Sequence, residues 1–181
     1  MDSIVNADVI TERLKKGNAE YVMTGKCDGR FCESVRRDTA DNGQKPFAIV
    51  ITCSDSRVIP EAIFSCGIGE LFVIRVAGNV IGDAERGSVE YAVGHLKVKY
   101  ALMLGHTRCG AVNGAIGGHF EGFSGYLTKD IAKAIGCEKD ERAASGINAR
   151  YQAEKLKKDF PELFVSCALY DIESGKVEFF R

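Results

Sequence analysis

The chain predicts an α/β fold: a mainly parallel β-sheet of about four parallel strands plus a C-terminal antiparallel strand, flanked by helices and preceded by an N-terminal helical arm. Three observations carry this. Short, continuous apolar runs rich in β-branched and aromatic residues recur along the chain, as strands covered on both faces require. Segments of helical spacing stand between them. The last long run is followed by a short polar turn and a second run, which marks a hairpin rather than a crossover.

Taken in order, Val5 to Thr24 carries apolar residues at Val5, Val9, Ile10, Leu14, Tyr21 and Val22, and Gly25 stands where a helix ends. This predicts an amphipathic arm or cover. Lys26 to Lys45 is polar and reads as a connector, so residues 1–46 are expected to form arm and connector and 47–181 the α/β domain, within one structural domain overall. FAIVIT (Phe47 to Thr52), LFVIRV (Leu71 to Val76) and YALMLG (Tyr100 to Gly105) are the first three expected strands. Between the second and third, Gly87 to Val98 has helical spacing, with Ser88 expected as its N-cap. A helix over about Asn148 to Lys158 leads into LFVSCALYDI, and ESGK then turns the chain into VEFF. The glycines of GIGE and AGNVIG lack the strand and helix context of a phosphate loop and read as turns.

Composition excludes several classes of function. With 45% hydrophobic and 27% charged residues the chain buries a core and is not disordered. Lys+Arg 24 against Asp+Glu 25 leaves no basic footprint for nucleic acid or an anionic membrane. The first residues lack an apolar signal region and no stretch approaches the roughly 20 apolar residues of a membrane span, so the chain is expected in the cytoplasm. Seven cysteines in a reducing compartment cannot be a complete disulfide framework, which leaves metal binding or burial.

The chemistry sits in two segments. CSDSR, Cys53 to Arg57, follows the first expected strand, and GHTRCG, Gly105 to Gly110, follows the third. In open α/β sheets, sites form beyond the carboxyl ends of strands at a topological switch point, so neighbouring first and third strands would bring Cys53, His106 and Cys109 together. Two thiolates and an imidazole suit zinc and leave a fourth position open. Each segment alone is weak, because a lone HxxC or a cysteine after a strand is usually just packed. Their conjunction, with the acid and base of Asp55 and Arg57 beside it, is much stronger.

On these residues the chain resembles the β-class carbonic anhydrases. Cys53, Asp55 and Arg57 in CSDSR and His106 and Cys109 in GHTRCGAV carry the likeness, which extends through LKKGNAEY, GQKPFAIV, GELFVIRVAGN, GSVEYAVGHL and YDIESGKVEFF. The resemblance implies one zinc ion per chain on Cys53, His106 and Cys109, with water or Asp55 as fourth ligand, and Arg57 pairing with Asp55 to draw it off the metal. It implies that zinc acidifies its water, that the resulting hydroxide converts carbon dioxide to bicarbonate, and that freed Asp55 accepts the hydroxide's hydrogen bond. Two thiolates neutralise the metal more than imidazoles would, which favours activity at alkaline pH. Gln44, Val58, Phe72 and Tyr91 match substrate-pocket positions, Gly110 offers a backbone N–H next to the metal, and the glutamine and some aromatics reach in from a neighbouring subunit of a homodimer or dimer-based oligomer. Many members read RNVAN where this chain reads RVAGN (Arg75 to Asn79), which reshapes a pocket wall at Ala77; some bacterial members use a tryptophan in a regulatory bicarbonate pocket, and this chain has none. Relatives with this ligand set hydrolyse COS or CS2, and a non-enzymatic zinc module is the third reading.

The remaining residues read as structural. Cys66 and Cys167 fall in apolar segments and are expected in the core; Cys27 and Cys32 read as loop thiols; Cys137 has no partner in sight. His95 is expected to be structural or solvent-facing, with proton relay as its alternative role, and His119, in GGHFEGFSG, is the weaker candidate for moving protons.

Overall fold

The computed structural model describes residues 7–25 and 30–180. Its sheet has five strands in the order β2-β1-β3-β4-β5, comprising β1 (Ala48–Thr52), β2 (Leu71–Arg75), β3 (Tyr100–His106), β4 (Phe164–Tyr170) and β5 (Val177–Phe179). The first four are parallel and β5 runs antiparallel to β4. The seven α-helices among the described residues are α1 (Ala7–Thr24), α2 (Glu33–Asn42), α3 (Pro60–Ile63), α4 (Asp83–Gly94), α5 (Gly110–Ile116), α6 (Ser124–Ile135) and α7 (Glu141–Asp159).

The sheet is covered on both faces, which is why its strands read as unbroken apolar runs. Ile49, Ile51, Ala101 and Met103 face α4 and α7, where they meet Val89, Ala92, Ala149, Ala153 and Leu156. Ala48, Val50, Leu102 and Leu104, the alternate residues of the same strands, face α1 and α3 and pack with Ile10, Leu14, Ile63 and Phe64. A third cluster lies at the carboxyl ends of the strands, where Val80, Val112, Ile131 and Ala144 surround Cys53 and Cys109.

The helices depart from the sequence reading in places. Val5 lies outside the described residues; the arm helix itself is present and buries Ile10 and Leu14. The connector contains α2, which has no buried residue and so no apolar period to reveal it. Ser88 is not an N-cap: it lies inside α4, and its hydroxyl donates to the Ala84 carbonyl at 3.0 Å. The cap is Gly82, whose N–H donates to the Glu85 carboxylate at 2.9 Å, so the helix is capped six residues earlier than Ser88. Likewise α7 begins at Glu141 rather than Asn148, because Asp140 accepts the Ala143 N–H at 2.8 Å and caps it. The glycines of α5 and of the segment before α6 mask two further helices; α6 nonetheless buries Thr128, Ile131 and Ile135 on one face.

Candidate metal centre

Sheet register brings the two segments together. Thr52 pairs with Leu104, and the buried Thr52 hydroxyl donates to the Leu104 carbonyl at 2.8 Å, so the residues that follow leave the sheet side by side. Cys53 is the first residue past β1 and His106 the last of β3. Arg108 then adopts a left-handed conformation (φ 56°), and Cys109 becomes the residue that starts α5. β1 lies between β2 and β3, so its two neighbours are reached by connections leaving in opposite directions.

The ligand atoms of Cys53, His106 and Cys109 lie within 4.8 Å of one another, and all three residues are buried. His106 is oriented for a cation. Its Nδ1 donates to the Thr107 carbonyl at 2.9 Å, which leaves the lone pair on Nε2, and Nε2 is buried with no hydrogen-bond partner. A buried lone pair without a partner is costly unless something else fills it. Two sulfurs and one imidazole nitrogen suit a borderline-soft tetrahedral cation and leave a fourth position open.

Backbone amides prepare the sulfur of Cys53, which accepts the Gly78 N–H at 3.2 Å and the Asp55 N–H at 3.4 Å. The Cys109 thiol facing it, then His106 and these amides, bring the Cys53 pKa down to about 4 against the opposing cost of burial. Cys109 moves upward, because a neighbouring thiolate and burial both favour keeping its proton. Behind Cys109, its N–H donates to Glu141 Oε1 at 3.0 Å, and the Ser145 hydroxyl donates to the same oxygen at 2.9 Å.

The Asp55 carboxylate is not one of the clustered groups, and both its oxygens are held by Arg57: Nε donates to Oδ1 at 2.9 Å and Nη2 to Oδ2 at 2.7 Å. The Arg57 N–H adds a bond to Oδ1 at 3.0 Å, and Nη2 also reaches the Arg108 carbonyl at 3.1 Å. The Arg57 guanidinium accordingly holds the Asp55 carboxyl well below the usual carboxylate range. Arg75 braces the loop from the other side, donating to the Asp55 carbonyl at 2.7 Å and the Cys53 carbonyl at 3.3 Å.

Of the other residues singled out from sequence, Val58 is buried under this loop and its N–H donates to the Asp55 carbonyl at 3.0 Å. Gly110 is exposed at the start of α5, and a side chain there would meet nothing within 4 Å. Gln44 is exposed and stands against Gly69; Phe72 and Tyr91 have ring centroids 6.2 Å apart. No hydrogen bond or ring contact among the described residues joins Gln44, Phe72 or Tyr91 to the three clustered ligands. His95 is exposed and stacks on Tyr91, centroids 5.0 Å apart, and His119 is exposed in the loop before α6. Cys66 and Cys167 are buried, and burial pushes the Cys167 thiol up to about 12. Cys32 and Cys137 are exposed, and Cys27 lies outside the described residues. Gly78, Arg75 and Glu141 were not singled out as site residues: Gly78 acts through its backbone N–H, the Arg75 side chain bonds only to backbone carbonyls, and Glu141 depends on where α7 begins.

A family model described as carbonic anhydrase matches residues 48–177. Carbonic anhydrase 2 of Mycobacterium tuberculosis (strain CDC 1551 / Oshkosh) is 41% identical over 123 residues, covering 67% of this chain; the chain spans 59% of that relative's length. Among solved structures, a Coccomyxa β-carbonic anhydrase in complex with acetazolamide superposes with a TM-score of 0.71 at 23% identity, covering 98% of this chain and 86% of its own. A structure from a study of two tetrameric β-carbonic anhydrases of Sordaria macrospora gives a TM-score of 0.64 at 23% identity, covering 96% of this chain and 97% of its own. At these identities the two structures establish the fold.

Proposed function

The chain belongs to the β-class carbonic anhydrases, and from that membership we propose that it catalyses the reversible hydration of carbon dioxide to bicarbonate and a proton, with one zinc ion per chain held by Cys53, His106 and Cys109. The observation that carries this is the convergence of two thiols and an imidazole around a buried, unpartnered His106 Nε2. Zinc bound there supplies the Lewis acidity that makes water a nucleophile near neutral pH.

The protein's own groups do the rest. Arg57 turns the Asp55 carboxylate towards itself, which keeps the fourth position free, and Asp55 accepts a hydrogen bond from the attacking water and orients it towards carbon dioxide. The Gly110 N–H and the buried Val58 border the place where uncharged substrate is received. Two thiolates cancel the charge of a divalent ion, so activity should rise towards alkaline pH. Gln44, Phe72 and Tyr91 complete the pocket of a second copy, in a homodimer or dimer-based assembly; that no hydrogen bond or ring contact among the described residues joins them to their own chain's ligand cluster supports this, as does the tetrameric state of the Sordaria relatives. A cytoplasmic setting belongs to the same reading, because zinc thiolates need to stay reduced.

The test is a stopped-flow pH profile of carbon dioxide hydration on protein whose zinc content is measured in the same sample, with COS and CS2 as competing substrates. Near-stoichiometric zinc with hydration rising into the alkaline range is the expected result. Zinc-loaded protein that turns over COS or CS2 but not carbon dioxide, or none of the three, would overturn it.

A further inference from the structure

Behind the metal centre runs a buried polar chain that packing alone does not require. Asn148 and Gln152 are wholly buried in α7, one turn apart. Asn148 Nδ2 donates to the Gly78 carbonyl at 2.8 Å, while the Gly78 N–H donates to Cys53 Sγ at 3.2 Å. Gln152 Oε1 accepts the Ile81 N–H at 3.0 Å, and its Nε2 donates to Asn148 Oδ1 at 3.3 Å and to Asp130 Oδ2 at 2.7 Å. Lys155 closes the outer end, reaching Asp130 Oδ2 at 2.9 Å and the Ile81 carbonyl at 3.1 Å. The segment from Gly78 to Ile81 is thus gripped at both ends by side chains of α7.

The backbone conformation at Gly78 explains why it needs gripping. Its φ is +68°, and a Cβ there would stand 2.6 Å from Ile131 Cδ1 and 3.0 Å from Ala111 Cβ. Only glycine lets the chain come this close, but glycine is also the residue least able to hold itself in one conformation. Two buried amide side chains are costly in apolar surroundings unless every donor and acceptor is used. Here they are spent on fixing the segment whose Gly78 N–H makes the shorter of the two backbone hydrogen bonds to the Cys53 sulfur.

We propose that Asn148 and Gln152 are positioning residues of the metal centre, which hold the 78–81 segment so that the Gly78 N–H stays on Cys53 Sγ. The proposal rests on Cys53, His106 and Cys109 being the zinc ligands and goes one layer beyond them. An N–H aimed at a thiolate stabilises its charge and fixes which lone pair is left for the metal.

Asn148→Leu keeps the volume and removes the donor. Leu156→Ala, in the same helix and buried in the apolar core that also holds Ile81, is the control, since it loosens the fold while removing no hydrogen-bonding group of the buried polar chain. Two quantities are read on the full chain: zinc affinity by chelator competition, and the thiolate-to-cobalt charge-transfer band after exchange with Co(II). Asn148→Leu should weaken zinc binding about tenfold or more and shift the band, whereas Leu156→Ala should lose stability but leave both unchanged. Should Asn148→Leu fail to fold, Gln152→Met makes the same test one hydrogen bond further out, with a loss of several-fold expected. Equal losses in the control, or an unmoved affinity and band in the folded variant, overturn the positioning role. Wild-type protein that takes up neither metal would instead sink the zinc reading, and this proposal with it.

Discussion

Asp55 and Arg57 are two residues apart, and the turn between them lets one guanidinium take both oxygens of one carboxylate. Both were legible in sequence, because an acid and a base beside a strand-end cysteine have no packing purpose. What each does depends on the direction of the carboxylate, which the latch sets. Arg57→Ala should therefore retain zinc yet lose carbon dioxide hydration about tenfold or more, since a freed carboxylate can occupy the position meant for water. Paired metal analysis and stopped-flow rates decide the matter: near-normal turnover across the alkaline range would show that the latch is not needed. Gly78 and Glu141 were not legible in the same way. A backbone N–H carries no side-chain signature, and a glutamate at a helix start reads as ordinary helix chemistry until the Cys109 amide is found on it.

At the scale of elements, the arm helix α1 shows how a single polar residue decides docking. Its apolar stripe at Ile10 and Leu14 was legible, but the helix is also fastened by buried Asn18. The Asn18 Nδ2 donates to the Gly175 carbonyl at 2.9 Å and the Ile63 carbonyl at 3.2 Å, and its Oδ1 accepts the Val177 N–H at 2.9 Å. One side chain thus ties α1 to α3 and to the start of the edge strand β5. Asn18→Ala leaves these three groups to water or to nothing, at a cost on the order of 2 kcal/mol. The melting temperature at fixed protein concentration should fall by roughly 4–8 °C, and the Val177 amide should exchange much faster. A melting temperature unchanged within a degree would mean that apolar contacts alone hold the arm. The sequence reading missed this fastening because its partners lie more than forty and more than a hundred and fifty residues further along the chain.

At the scale of the whole molecule, the proposed sharing of the site turns on Gln44, which no hydrogen bond among the described residues joins to the ligand cluster of its own chain. Two defective chains test it, Gln44→Ala and Cys53→Ala, each nearly inactive alone and co-expressed so that they assemble together. If Gln44 serves the partner's zinc, each mixed dimer holds one intact site, and random pairing restores roughly a quarter of wild-type sites. Recovery no greater than the sum of the separate variants, in a sample shown to contain mixed dimers, would rule out sharing through Gln44.

By itself the sequence determined the order of strands and helices along most of the chain, the parallel character of the sheet and the three candidate ligands, because these are written in local patterns: unbroken apolar runs for strands buried on both faces, and metal-binding side chains at the ends of two of them. Only the tertiary structure decided that β1 and β3 are neighbours in the register that joins Cys53 to His106. It also decided that Asp55 faces Arg57, that Ser88 lies inside a helix capped by Gly82 and Glu85, and that Asn148 reaches back seventy residues to Gly78. Pairing between distant segments and the direction of each backbone N–H follow from how whole elements pack, and no short stretch of sequence carries that information.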